Sequence, residues 1–173
     1  RLAQASTTPT LLDSDKPLYA KTLGLGARPA RMSGDAPATE AMATRLRELA
    51  DRANDDEIAL GAALVDAAQA ASAGRRDAAL QAYAAAFERA GSLNVPEDVV
   101  AAGAPYVDAL IEASHLDDAR AIAGRLAPWT DRDLRAAWAQ VRLYRALDRP
   151  DAERTALATA TRLAGDGVLP EAA

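Results

Sequence analysis

Gly74-Arg75-Arg76-Asp77-Ala78-Ala79-Leu80-Gln81-Ala82-Tyr83-Ala84-Ala85-Ala86 reads as a turn followed by a helix. Gly74 accommodates the backbone of a tight turn, and Asp77 sets a negative charge in the first turn, where it complements the positive end of the helix dipole. Ala79, Tyr83 and Ala86 then recur at steps of four and three, which brings them onto one helical face. A face made of small side chains around one aromatic lets a second helix approach closely. The stretch therefore predicts a helix packed tightly against helices before and after it.

Working outward, two further segments begin in the same way. Ser114-His115-Leu116-Asp117-Asp118-Ala119 leads into Ala123 and Leu126, and Asp148-Arg149-Pro150-Asp151-Ala152 leads into Ala156 and Leu157. Each follows a short turn, carries an acidic start and continues with small residues at helical spacing. Ala79, Ala119 and Ala152 lie 40 and 33 residues apart, the kind of spacing expected of a helical repeat. The 3.6-residue period runs from Thr39 onward, and no alternation of period two is sustained. Seven helices are predicted, at about 39–53, 56–72, 76–90, 96–113, 117–127, 131–147 and 150–164, with Gly74 and Gly91 at helix ends. Asn54 with Glu57, Asn94 with Glu97 and Thr130 with Asp133 have the spacing of N-terminal caps, and Ser114 and Asp148 offer caps to the fifth and seventh helices.

The pairs 56–72 with 76–90, 96–113 with 117–127 and 131–147 with 150–164 resemble the tetratricopeptide repeat family. The first pair carries the resemblance through the turn glycine and Ala79, Tyr83 and Ala86, and the third through its first helix and turn. The second departs from the pattern at Ser114, Ala123 and Pro105. The resemblance implies an all-α, TPR-like α-solenoid of about three hairpins plus an N-terminal helix and tail, with an inner groove that holds a peptide or protein segment. By that resemblance the first helix of each pair lines the groove, and Arg135, Trp138, Arg142 and Arg145 match groove-facing positions. The equivalent positions of the earlier pairs are Gly61, Leu64, Ala68 and Ala71, then Ala101, Ala104, Asp108 and Ile111, which makes that part of the groove narrow and apolar.

The helical wheel of 131–147 gives a separate reason to look there. Ala136, Ala137, Val141, Leu143, Tyr144, Leu147 and Leu134 make one broad apolar face. Opposite them, Arg132, Arg135, Arg142, Arg145 and Arg149 surround Trp138, with no acid among them after Asp133. Guanidinium forks grip carboxylates in pairs of hydrogen bonds, and an indole adds stacking area. An acidic or C-terminal peptide segment is the partner this face suggests. The plainer expectation is a solvated surface whose arginines pair with residues such as Asp117, Asp118 or Asp133, with Trp138 at a helix junction.

Composition narrows the function. The chain has 173 residues, 46 of them alanine, with no cysteine, one histidine and a net charge of −5. Thiolate and imidazole clusters for zinc or iron–sulfur sites are absent, and the net acidity gives no whole-chain field toward nucleic acid or an anionic membrane. Asp51, Asp55, Asp56 and Glu57 lack the order of a calcium loop, Gly24-Leu25-Gly26 lacks the third glycine of a dinucleotide turn, and His115 stands without a nucleophile. The reading is a non-enzymatic module with no cofactor and no metal, whose partner is a protein or peptide. A structural scaffold or oligomerisation domain with no free ligand is the alternative.

Residues 1–37 are rich in Pro, Gly, Ser and Thr and carry a charge of +2 against −7 for the rest. They read as a tail or linker with a short helix around 18–25, before a repeat domain at 38–173. Pro17-Leu18-Tyr19 has the composition to fold back into an apolar groove. The chain begins at Arg1, and Leu2-Ala3-Gln4-Ala5-Ser6 has the small-x-small pattern found before a signal cleavage point, without the charged and apolar regions that precede it. The expectation is a soluble segment of a longer chain, periplasmic or cytoplasmic, and 18 arginines against 2 lysines suggest a GC-rich bacterial genome.

Overall fold

A computed structural model describes residues 36–53, 55–165, 167 and 169, and the expectations for the tail, the glycine turn at 24–26 and Asn54 lie outside them. Among the described residues there are seven α-helices and no strand: α1 Ala36–Ala53, α2 Asp56–Ser72, α3 Arg76–Leu93, α4 Pro96–Glu112, α5 Leu116–Leu126, α6 Leu134–Ala146 and α7 Pro150–Ala164. A short 3-10 turn, Ala127–Trp129, joins α5 to α6. Each helix packs on its neighbours in the chain, and α4 also packs on α6 across one intervening helix. The periodicity thus located each of these seven helices. The ends differ, for local reasons.

The three turns α2–α3, α4–α5 and α6–α7 share one hydrogen-bonded form. Gly74, Ser114 and Asp148 all have left-handed backbones, with φ of 71°, 63° and 52°. The next residue in each turn donates its N–H to the carbonyl five residues back: Arg75 to Ala70 at 2.9 Å, His115 to Leu110 at 2.8 Å, and Arg149 to Tyr144 at 2.9 Å. That pattern closes the C-terminus of the preceding helix. Ser114 and Asp148 therefore end α4 and α6 and are not N-caps of α5 and α7, which begin after His115 and Arg149 with no capping side chain. A left-handed backbone is strained for serine and relaxed for glycine. Ser114→Gly is expected to raise stability by about 0.5–1 kcal/mol, read from the denaturant midpoint at unchanged slope.

Asn94 is corrected in the same sense. With φ of 55° it closes α3, which runs through Gly91 to Leu93, and Val95 precedes α4 without a side-chain cap. The caps that form are aspartates. Asp55 accepts from the N–H of Glu57 and Ile58 at 2.9 and 3.1 Å. Asp133 accepts from the N–H of Arg135 at 2.8 Å, so α6 starts at Leu134 and not at 131. Thr130 instead donates its hydroxyl to the Ala127 carbonyl.

Packing follows the alanines. Ala67, Ala102, Ala119, Ala123, Ala136 and Ala137 are fully buried where helices meet, and each needs little space between axes. The main cluster runs from Leu60 of α2 through Phe87, Val100 and Leu126 to Leu143 of α6. Smaller clusters join α1 to α2 around Leu46 and Ile58, α2 to α3 around Ala67 and Tyr83, and α6 to α7 around Val141 and Ala160. Cohesion therefore passes between chain neighbours and, through α4 and α6, across one intervening helix.

One buried polar group belongs to this packing. The N–H of Ala127 turns to Gly124, and the Ala123 carbonyl at the end of α5 is met by the side-chain amide of Gln140 on α6, at 2.9 Å and buried. Gln140→Leu keeps the volume and strips that carbonyl of its donor. The expected cost is about 1–3 kcal/mol, measured by chemical denaturation.

Candidate functional site

Helices α4 and α6 lie side by side, and the face that the sequence singles out on α6 meets α4 at Asp108. The structure distributes the four candidate residues among different partners. Arg135 folds onto its own cap, with Nε 3.1 Å from Oδ1 and an Nη 2.7 Å from Oδ2 of Asp133. This side-chain hydrogen bond leads the causes that hold the Asp133 carboxyl below the usual range. Arg145 reaches α7, with Nε 2.7 Å from Oε1 of Glu153. Trp138 is partly buried and joins the apolar cluster of Ala137, Val141 and Ala160 between α6 and α7.

Arg142 crosses to α4. One Nη lies 2.9 Å from Oδ2 of Asp108, and the other 3.7 Å from Oε1 of Glu112. The Arg142 and Asp108 side chains are 27% and 30% exposed, so this guanidinium is more enclosed than those of Arg135 and Arg145. Oδ1 of Asp108 is buried with no hydrogen-bond partner among the described residues. Burial pushes the Asp108 pKa up from 3.8 to about 6, against the lowering effect of Arg142 and with a further rise from Glu112. Upstream on the same helix, Pro105 has no N–H to give to the Ala101 carbonyl.

The sign of the pH dependence follows. A carboxyl whose folded pKa is raised binds more protons in the folded state, so its contribution to stability is present below 3.8 and is lost as pH rises through about 6. Asp108→Asn is expected to flatten the stability curve across that window, read from melting temperatures in a buffer series. A curve that keeps its slope in the variant would remove Asp108 as the source.

The remaining arginines of the stripe, Arg132 and Arg149, have no ion pair among the described residues. Arg149 lines an open cleft of about 490 Å³ at the α6–α7 turn, with Arg120, Tyr144 and Leu147. A second open hollow, of about 610 Å³, lies at the α2–α3 turn beside Arg75 and Arg76. Leu64 and Ile111 pack against the main cluster, and the large apolar side chain exposed among the described residues is Val95.

The other residues marked in the sequence find ordinary roles. Asp55 caps α2, Asp56 stands 3.6 Å from Arg89, and Nδ1 of His115 is 3.9 Å from Asp118. Among the described residues no group of three or more His, Asp or Glu side chains is placed to hold a metal ion, and no helix is long and apolar enough to cross a membrane. Two features escaped the sequence reading. Gln140 occupies a helical position whose use depends on where α5 ends, and the acids facing Arg142 lie on a different helix. Three arginines of the stripe, Arg135, Arg142 and Arg145, thus tie α6 to its own cap, to α4 and to α7. Comparison of the chain with protein-family models, curated proteins and solved structures finds no match.

Proposed function

We propose that this chain is a tetratricopeptide-like hairpin stack serving as a protein-interaction or sensory module of a larger bacterial protein, and that it holds an acidic peptide or protein segment along the α4–α6 face. The observation that carries the reading is the recurrence of one turn form at Gly74, Ser114 and Asp148, 40 and 34 residues apart, with α4 packed on α6. The alternate pair α4 and α6 lies side by side, and such a surface suits an extended partner.

The more exposed ion pairs do not close this face. Pairs exposed to the degree of Arg145 with Glu153 contribute about 0–1 kcal/mol, so an external carboxylate exchanges for the internal one at little cost. A scaffold or oligomerisation role is the second reading. It is favoured by the internal partners of Arg135, Arg142 and Arg145 and by the packing of Trp138.

Calorimetric titration of a panel of acidic C-terminal peptides, at low and high salt, separates the two. The interaction reading predicts saturable, salt-sensitive binding that falls about tenfold or more in Arg142→Gln/Arg145→Gln. Equal melting curves for parent and variant would show that the fold is intact. Absence of binding across the panel, with both proteins folded, would favour the scaffold.

A further inference from the structure

Asp108 and Glu112 stand four residues apart on α4, a spacing that sets two side chains on the same helical face. The Arg142 guanidinium reaches both from α6, at 2.9 Å from the inner acid and 3.7 Å from the outer one. The two acids differ in setting. Asp108 has one oxygen on Arg142 and the other buried without a partner, whereas the Glu112 side chain is 66% exposed. A buried carboxylate oxygen with no donor is costly as an anion and is relieved by a proton.

We propose that Asp108, Glu112 and Arg142 form a two-position proton switch at the junction of the second and third hairpins. With Asp108 ionised, Arg142 is held inward across the α4–α6 seam. When Asp108 takes up a proton from solvent, its attraction for the guanidinium is lost and Arg142 closes on Glu112, which its other nitrogen already approaches at 3.7 Å, at the rim. There it is offered to water and to any external carboxylate.

The groups that act on Asp108 are Arg142 from α6 and Glu112 from α4 itself. Among the described residues, no charged group from α3 or α5, the other helices packed on α4, is among the influences on Asp108. The upward displacement of Asp108 to about 6 sets the switch near the range in which cellular compartments differ in acidity. The switch goes beyond the interaction reading and operates with or without a partner.

Carbon-detected NMR of the intact chain, following the Asp108 carboxyl carbon and the Arg142 Nε–H through a pH titration, tests it. The two signals are expected to move together with a midpoint near 6. Arg142→Gln is expected to raise the Asp108 midpoint, because it removes the cation that lowers it, and Glu112→Gln is expected to lower it. In Asp108→Asn, which preserves shape, the Arg142 signal is expected to stay at its low-pH position throughout. An Asp108 midpoint at 3.8, or an Arg142 signal that ignores the Asp108 titration, would overturn the proposal.

A peptide of Asp and Glu residues serves as a separate probe. If the interaction reading also holds, it binds the parent about threefold to tenfold more tightly below the midpoint than above it, and Asp108→Asn abolishes the difference. Coupled titration without peptide binding at either pH supports the switch and counts against the interaction reading.

Discussion

Phe87→Ala is expected to lower stability by about 3–5 kcal/mol, the cost of emptying a large aromatic site in a packed core. Phe87 is fully buried, and it heads the large side chains of the interior. Its ring lies where α3, α4 and α5 converge, with centroids 6.2 Å from Tyr106 and the Arg125 guanidinium 4.2 Å above its face. Arg125 is itself held 2.8 Å from Glu88 on α3. Truncation therefore removes three things at once: the buried ring, an aromatic contact and the surface on which a cation stacks. The surrounding alanines are already small and have nothing to extend into the vacated volume. Chemical denaturation followed by circular dichroism gives the number, and a loss below about 1 kcal/mol would mean that the α3–α4–α5 joint is not the centre of the core. Phe87→Leu, which keeps most of the volume, is expected to cost about 1–2 kcal/mol.

Leu126→Ala is expected to cost about 2–5 kcal/mol, and its partner variant makes the prediction sharper. Leu126 is fully buried at the end of α5. A Cβ built on Gly103 of α4 would stand 2.7 Å from Cδ2 and 3.3 Å from Cδ1 of Leu126, and 2.8 Å from Cε2 of Phe87. Glycine at 103 is thus a packing requirement, since two buried side chains from α3 and α5 fill the space that any other residue would need. Gly103→Ala alone gains about 1 kcal/mol of helix propensity and loses about 1–3 kcal/mol to overpacking. In the Leu126→Ala background the Leu126 collision vanishes and the new methyl fills part of the hole. The double variant is therefore expected to be more stable than the sum of the singles by about 0.5–2 kcal/mol. Strict additivity would mean that the two positions do not share the contact.

These effects locate what was legible in the sequence. Apolar spacing announced all seven helices, because burial of one face is a local property of a helical segment. The ends were less legible because one residue type serves two purposes. Asn94, Ser114 and Asp148 carry side chains able to cap the start of a helix, yet each takes the left-handed backbone that closes the previous one. The choice depends on the path of the chain after the turn, which composition does not encode. Gly103 is a further case. Within α4 it reads as a weak helix former, and its reason lies in side chains of α3 and α5.

The candidate site divides in the same way. Five arginines around Trp138 are visible on a helical wheel, which requires only the sequence of one helix. Their partners are not visible there. Asp108 and Glu112 face Arg142 from α4, and Glu153 faces Arg145 from α7, so two arginines of the stripe are paired from other helices. Of the acids suggested by sequence, Asp133 alone takes up an arginine of the stripe. Trp138 sits by sequence among the arginines and packs in space with the apolar cluster of α6 and α7, since an indole gains more from burial than from a place in a charged face.

The central claim is that an acidic segment lies along α4 and α6 by exchanging with the internal ion pairs. Backbone amide chemical-shift mapping during titration with an acidic peptide tests it most directly, because the readout is by residue and needs no substitution. Shifts that saturate together and concentrate at Ala101, Asp108, Ile111, Arg135, Trp138, Arg142 and Arg145 are expected. Shifts confined to α3, α5 and α7, or a spectrum unchanged at millimolar peptide, would contradict it.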